Sequence, residues 1–309
     1  MIAVLVGLFA LDASIDRVSI QGTFLQPLFF DRTYLPAGLV MLAMWLGVIV
    51  LAARELARFF HAKHLDVSRM MITLSGMIGC ILIYSIPYTL DSQTTMAIYA
   101  TALVGVFLAS LVRHSWHGRT QGALAAGSAT TFAMIYLGIL PGFYLAIRRW
   151  QSPWVIVAIV LIVKCCDIGA YATGRLIGRT PLIAWLSPKK TVEGLVGGVL
   201  TSGLAAVLLA ALGNHFEHIV GKWTHVAGER LFMDYHMPLW YAFVAGMLLG
   251  LIGQIGDLTA SLFKRDAGIK DSGASIPGFG GVIDVLDSPV VAAPLAFWLL
   301  QAAWVMFGK

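Results

Sequence analysis

The chain has 309 residues, 59% of them hydrophobic and only 12% charged, with a formal net charge of +5 and a mean hydropathy of +0.83. An ordinary soluble domain is about 45–50% apolar and about 25% charged, so that class is excluded. The positive excess calls for no nucleic acid, because no basic patch is interleaved with aromatic residues.

Apolar runs about as long as a helical bilayer crossing, roughly 20 residues, recur along the whole sequence. They lie near Ile2–Leu11, Gly38–Ala57, Met70–Leu90, Thr94–Leu111, Ala123–Ala146, Trp154–Ile177, Gly194–Leu212, Leu239–Leu262 and Val290–Phe307. This pattern predicts an all-α fold, a polytopic integral membrane helical bundle of about nine transmembrane helices. No repeat, low-complexity tract or extended linker divides it. Residues 1–309 therefore read as a single membrane domain, with N-terminal spans over 1–111 and catalytic spans over 112–309.

The opening "MIAVLVGLFALD" has neither the basic n-region nor the small-residue cleavage site of a secretory signal. It reads as a first span whose leading residues precede this start. With the N-terminus inside, alternate connections carry Arg54, Arg58, Lys63 and Arg69; Arg113 and Arg119; Arg175, Arg179, Lys189 and Lys190; and Lys264, Arg265 and Lys270. That is about thirteen Lys and Arg against about seven on the other side, where Arg148 and Arg149 fall. The positive-inside rule then places the polar connections of the second half in the cytoplasm. Cys80, Cys165 and Cys166 form no C-x-x-C pair and read as small hydrophobes. The stretch Gly213–Pro238, with His215, His218, His225 and His236, reads as a solvated outer loop.

An ionisable residue inside a span is costly and is a functional hypothesis by default. In "IVKCCDIGAYATGRLIGR", Lys164 and Asp167 stand three apart on one helical face, followed by Ala170, Gly174 and Gly178 at four-residue intervals. The spacing suits close helix packing with an internal ion pair as well as it suits a functional Asp167. In "GLIGQIGDLTASLFKR", Asp257, Ser261, Lys264 and Arg265 share one face at i, i+4, i+7 and i+8. A solvated helix end explains the two cations, but it explains poorly an Asp two turns deeper among glycines.

The next connection brings Lys270, Asp271 and the turn "PGFGG", whose glycines Gly278, Gly280 and Gly281 let backbone N–H groups approach an anion. Asp284 and Asp287 follow, three apart, and Ser288-Pro289 reads as the start of the last helix. Carboxylates at a helix mouth suit a hard divalent ion such as Mg²⁺ bridging to substrate phosphates. Upstream, "SPKKTVEGLVGG" offers Lys189 and Lys190 to phosphates and sets Glu193 at the membrane edge. Ser187-Pro188 there reads as a helix start.

From about Lys164 to Ser288 the sequence resembles the phosphatidate cytidylyltransferase (CDP-diacylglycerol synthase) family. That family's signature, S-x-x-K-R-x₄-K-D-x₅-P-G-H-G-G-x-x-D-R-x-D, is met by Ser261, Lys264, Arg265, Lys270, Asp271, Pro277, Gly278, Gly280, Gly281, Asp284 and Asp287, within a signature region of 257–288. The segments "DIGAYATGRLIGR" and "SPKKTVEGLVGG" resemble further family blocks in the same order. The resemblance implies transfer of a cytidylyl group from CTP to phosphatidate, giving CDP-diacylglycerol and pyrophosphate. It implies Asp257, Asp284 and Asp287 as metal ligands and Lys264 and Lys270 as catalytic cations. Ser261, Arg265, Asp271, the three glycines, Lys189, Lys190, Glu193 and Asp167 would contact substrate phosphates. It implies Mg²⁺, allows a monovalent partner such as K⁺, and allows a homodimer.

Two positions depart from the signature. Phe279 stands for the usual His and Val285 for the usual Arg. A mechanism needing that His fails here, yet a phosphate monoester is largely anionic near neutral pH, its second pKa being about 6. Alignment and charge neutralisation then suffice. A CTP-dependent polyprenol or isoprenoid-alcohol kinase, or a cytidylyltransferase for another lipid phosphate, is the nearest alternative. The kinase would need a base to deprotonate its alcohol. A transporter would share the intramembrane charges, but no paired helix interruptions mark two matching halves. An inactive relative would fit the two departures, though not the retained aspartates.

Overall fold

The computed structural model describes residues 2–16, 18–24, 34–86, 90–116, 118, 120–215, 237–269 and 280–308. Every apolar run forms a helix: α1 (Ile2–Ile15), α2 (Leu39–Ala62), α3 (Arg69–Ser85) and α4 (Ser92–Ser115) lead. Next, α5 (Ala123–Ala133) continues through a π-helical segment (Met134–Ile139) into α6 (Leu140–Arg148). Then come α7 (Pro153–Ile177), α8 (Val192–His215), α9 (Leu239–Asp266) and α10 (Val282–Phe307). Among the described residues seven helical stretches are long and apolar enough to cross a membrane, Ala123–Arg148 counting as one, and α3 is a shorter apolar helix. The protein is a nearly all-α, multi-span integral membrane protein.

Two local expectations are corrected. Ser187-Pro188 does not open a helix. Pro181–Ile183 (β1) and Ser187–Thr191 (β2) pair as a small antiparallel hairpin, and α8 begins at Val192. Nor does α10 start at Ser288-Pro289. It starts at Val282, so Asp284 and Asp287 lie within its first two turns. A carboxylate from α2, described below, supplies the N-terminal cap that moves the start upstream. The solvated loop read at Gly213–Pro238 falls largely outside the described residues.

The chain divides into two compact units, each built from separated segments. The first comprises Met1–Ala43, Tyr144–Gly256 and Val291–Lys309. Its α7 and α8 run antiparallel and meet through small residues. A Cβ on Gly198 would come within 2.6 Å of the Cys166 carbonyl, and one on Gly194 within 2.8 Å of the Ala170 carbonyl. Gly250, near the middle of α9, abuts the same pair, where a Cβ would lie 3.1 Å from Cys166 Sγ. Backbone approach of this kind is how helices associate where no hydrophobic drive separates them from lipid.

At the other end of this unit sits a buried charge cluster. Arg148 is fully buried and its Nε donates to Asp12 Oδ2 at 2.5 Å, while a second guanidinium nitrogen donates to Asp16. Asp12 also accepts the backbone N–H groups of Val40 and Met41, each at 3.1 Å, and so caps α2. Burial of these charges is tolerable only because each is paired and hydrogen-bonded.

The second unit comprises Met44–Phe143 and Asp257–Val290. Here α3 packs on the π-helical segment, glycine against glycine. A Cβ on Gly79 would lie 2.9 Å from the Met134 carbonyl and one on Gly76 3.2 Å from Leu137 Cβ. Pro141 has no N–H to give the turn before it, and the Leu137 carbonyl accepts instead from Trp45 Nε1 at 3.3 Å. Ser110 of α4 bonds Thr130 of α5 at 2.9 Å. Phe60, Phe132, Tyr136 and Phe263 form an aromatic cluster with centroids 5.2–6.4 Å apart.

Arg148→Met should cost about 3–5 kcal/mol of stability, because it strands the Asp12 carboxylate in a buried site. Thermal unfolding of the purified protein in detergent measures it. The double variant Asp12→Asn/Arg148→Met should lose less than the sum of the two single losses, as expected for directly coupled groups.

Candidate functional site

Two groups of polar side chains stand out, one in each unit. In the second unit the C-terminal turns of α9 carry Asp257, Ser261, Lys264 and Arg265 on a helix unbroken to Asp266. Lys264 Nζ donates to Asp284 Oδ1 at 2.8 Å, with both side chains about one fifth exposed (19% and 23%). The other Asp284 oxygen accepts the Gly281 N–H at 3.4 Å. Asp287 is buried, and its Oδ1 accepts both the N–H of Ser288, at 2.6 Å, and its hydroxyl, at 3.1 Å.

What fixes the start of α10 is Glu55, a fully buried residue of α2. Its Oε1 accepts Val282 N–H and its Oε2 accepts Ile283 N–H, each at 2.9 Å. A carboxylate on the unpaired amides of a helix N-terminus satisfies them and complements the helix dipole. In the glycine turn the Gly281 N–H goes to Asp284, and the two amides that follow the turn go to Glu55. Those three N–H groups go to the protein's own carboxylates. Gly280 has φ +87°, a conformation that explains why glycine stands there. Lys270, Asp271 and Gly278 lie outside the described residues, as does Phe279. Val285, in place of the signature's Arg, is half-buried in the first turns of α10.

In the first unit Asp167 is the centre. Lys164 Nζ lies 3.3 Å from its Oδ2, the intrahelical pair that the spacing predicts. Gln254 Nε2 donates to its Oδ1 at 2.7 Å, and the Gln254 carbonyl oxygen in turn accepts from Lys190 Nζ at 2.9 Å. One buried amide thus joins a carboxylate on α7 to a cation on β2. Lys189, the neighbour on β2, is exposed. Glu193 holds the backbone N–H groups of Arg179 and Thr180 at 3.1 Å and so ties the loop after α7 to the first turn of α8.

Sequence reasoning missed Glu55 and Gln254. The signal was present for both, since each is a polar group in an apolar run ("ARELARFF", "GLIGQIGD") and such groups must find partners.

Among the described residues no three His, Cys, Asp or Glu side chains gather into a ready-made metal site. Asp284 and its neighbours nevertheless fit a hard, oxygen-seeking cation by donor chemistry. The Lys264 ammonium on Asp284 shows that this carboxylate is placed to receive positive charge.

A model of the cytidylyltransferase family matches residues 17–303. A phosphatidate cytidylyltransferase of Staphylococcus saprophyticus is 29% identical over 272 residues, covering 88% of this chain and 94% of the relative. Namesakes from a Synechocystis species and Staphylococcus aureus are 33% and 36% identical over 208 and 168 residues. The first alignment covers 58% of this chain and 64% of the relative, the second 54% and 56%.

Glu55→Ala leaves two helix-terminal amides unsatisfied, at about 1–3 kcal/mol each. Hydrogen exchange should show Val282 and Ile283 losing protection while α3 and α4 keep theirs, with turnover falling in parallel. Glu55→Gln, which retains one acceptor oxygen, should fall between wild type and Glu55→Ala on both readouts.

Proposed function

The chain belongs to the cytidylyltransferase family, and on that premise we propose that it transfers the cytidylyl group of CTP to phosphatidate, releasing pyrophosphate and CDP-diacylglycerol. The observation that carries the reading is the Lys264–Asp284 pair at the capped start of α10, inside the stretch that matches the family signature. The curated relatives bear the name of that reaction along most of this chain. The thirteen-to-seven bias of loop cations supports a cytoplasmic orientation for Lys189, Lys190, Lys264 and Arg265.

In this reading a phosphatidate oxygen attacks the α-phosphorus of CTP. One P–O bond forms, and the bond to the β-phosphate oxygen breaks. The attacking monoester is already largely dianionic above about pH 6, so no side chain has to remove a proton, and Phe279 in place of a His costs nothing. Lys264 and Arg265, with Lys270, neutralise the charge that accumulates on the departing pyrophosphate. Lys189 and Lys190 are assigned to substrate phosphates. Asp167 orders Lys164, and through Gln254 also Lys190. Asp257, Asp284 and Asp287 are assigned to hold Mg²⁺, with a monovalent ion as an allowed second. When bound, Mg²⁺ would supply charge neutralisation and alignment of phosphate oxygens.

Purified protein in liposomes, given phosphatidate, labelled CTP and Mg²⁺, should form labelled CDP-lipid. Asp284→Asn should lower that rate by about 10²-fold or more, and chelation should abolish it. Release of CDP in place of pyrophosphate would reveal a kinase and overturn the reading. The value of kcat/KM should rise with pH to about 6 and then level off, tracking the second ionisation of the lipid phosphate. A protein base titrating near neutrality would instead keep the rate climbing beyond that point.

A further inference from the structure

The second unit holds one buried hydroxyl that the transfer mechanism does not use. Tyr136 lies in the π-helical segment Met134–Ile139 and is 6% exposed. Its Oη has no hydrogen-bond partner in the protein among the described residues. Buried polar groups are nearly always paired, so an orphan calls for an explanation. Other buried hydroxyls of the chain follow that rule. Tyr241 donates to the Leu299 carbonyl at 2.7 Å, and Ser110 bonds Thr130 at 2.9 Å. The remaining orphans among the described residues, on Asp16, Trp150 and Gln151, belong to the first unit.

The surroundings of Tyr136 supply the explanation. Its ring stacks on Phe132 with centroids 5.5 Å apart and meets Phe263 edge-on at 5.8 Å. Phe263 directly precedes Lys264, the cation on Asp284. The charges that bear on the phenol are those of Asp287 and Asp284, and all of these residues belong to the second unit. The ring is thus fixed by apolar neighbours, while its hydroxyl stands in the field of the two carboxylates at the start of α10. The backbone there is π-helical, a rare local form that recurs at functional sites.

Neither carboxylate accepts from the phenol. Asp284 accepts from Lys264 and Gly281, and Asp287 from Ser288. A neutral phenol offers one proton to an acceptor, and here the acceptor left to it is an oxygen brought by a ligand. In the transfer reaction such oxygens are phosphate oxygens, from the lipid or from the nucleotide. Phe132 and Phe263, with Phe60 in contact with Phe132, make the neighbourhood apolar. That suits a headgroup entering from the bilayer better than a sugar triphosphate entering from water.

Resting on the phosphatidate reading, we propose that Tyr136 is a further residue of the site, its hydroxyl donating a hydrogen bond to a phosphate oxygen of the lipid substrate.

The test is Tyr136→Phe, which removes the hydroxyl and keeps the ring stack. Full-length wild type and variant in detergent are titrated by native mass spectrometry with phosphatidate alone and, separately, with CTP and Mg²⁺. A hydrogen bond to a charged oxygen is worth about tenfold or more in affinity. The variant should therefore bind phosphatidate about tenfold more weakly and CTP equally. In turnover, its KM for phosphatidate should rise by a similar factor while its KM for CTP stays unchanged. Its Tm should match or exceed that of wild type, because an unpaired buried hydroxyl is gone. Equal phosphatidate binding overturns the proposal, and a lowered Tm beside it would make the hydroxyl a structural group. Weaker CTP binding with phosphatidate unaffected also overturns it and assigns the hydroxyl to the nucleotide. The two readings fail separately. A wild type that binds phosphatidate through Tyr136 yet forms no CDP-lipid overturns the transfer reaction and leaves the lipid contact standing.

Discussion

The contact on which the candidate site most depends is the Glu55 carboxylate against the first amides of α10. Burying a carboxylate costs several kcal/mol. Two charge-assisted hydrogen bonds return about 3–6 kcal/mol, and the helix dipole adds up to ~2 kcal/mol, so the terms come close to balancing. What the arrangement gains is position. With Val282 and Ile283 held at 2.9 Å by a residue of α2 that lies 227 residues away from Val282 in sequence, the first turns of α10, which carry Asp284 and Asp287, are anchored. A site that works by alignment needs its carboxylates fixed before substrate arrives.

The same device recurs in the other unit, where Asp12 caps α2 and is itself neutralised by Arg148. That pairing takes Arg148 out of any count of loop cations used to judge orientation. Its charge is consumed inside the protein, with no exposure to solvent. A charge count over loops implicitly treats every Lys and Arg as free, and Arg148 is not.

The helices were legible because an apolar run in lipid must satisfy its backbone hydrogen bonds internally, and each of the nine runs falls in a helical stretch, seven of them long and apolar enough to cross a membrane. The Lys164–Asp167 pair was legible because it is local. Glu55 and Gln254 were not, because nothing near Glu55 in the chain announces amides at 282 and 283, and nothing near Gln254 announces Asp167 or Lys190. The start of α10 was misread for the same reason. Ser288-Pro289 is a sound local start signal, but a tertiary cap from α2 overrides it, and proline then sits within the helix. The hairpin at Pro181–Thr191 was hidden by a Ser-Pro pair that begins a strand as readily as a helix.

The departures at Phe279 and Val285 become less surprising once the site is built from its partners. A base is needed only where a nucleophile must lose a proton, and a phosphate monoester has already lost it. An Arg at 285 would add one more cation to a region where Lys264 already meets Asp284 and Arg265 lies beside it. The groups that are harder to replace are those that set geometry: a glycine at 280 whose φ of +87° few other residues adopt, a buried glutamate on a distant helix, and an aspartate whose two oxygens are both engaged. Substitutions at 279 and 285 leave that framework standing, whereas loss of Glu55 would remove what holds its carboxylates in place.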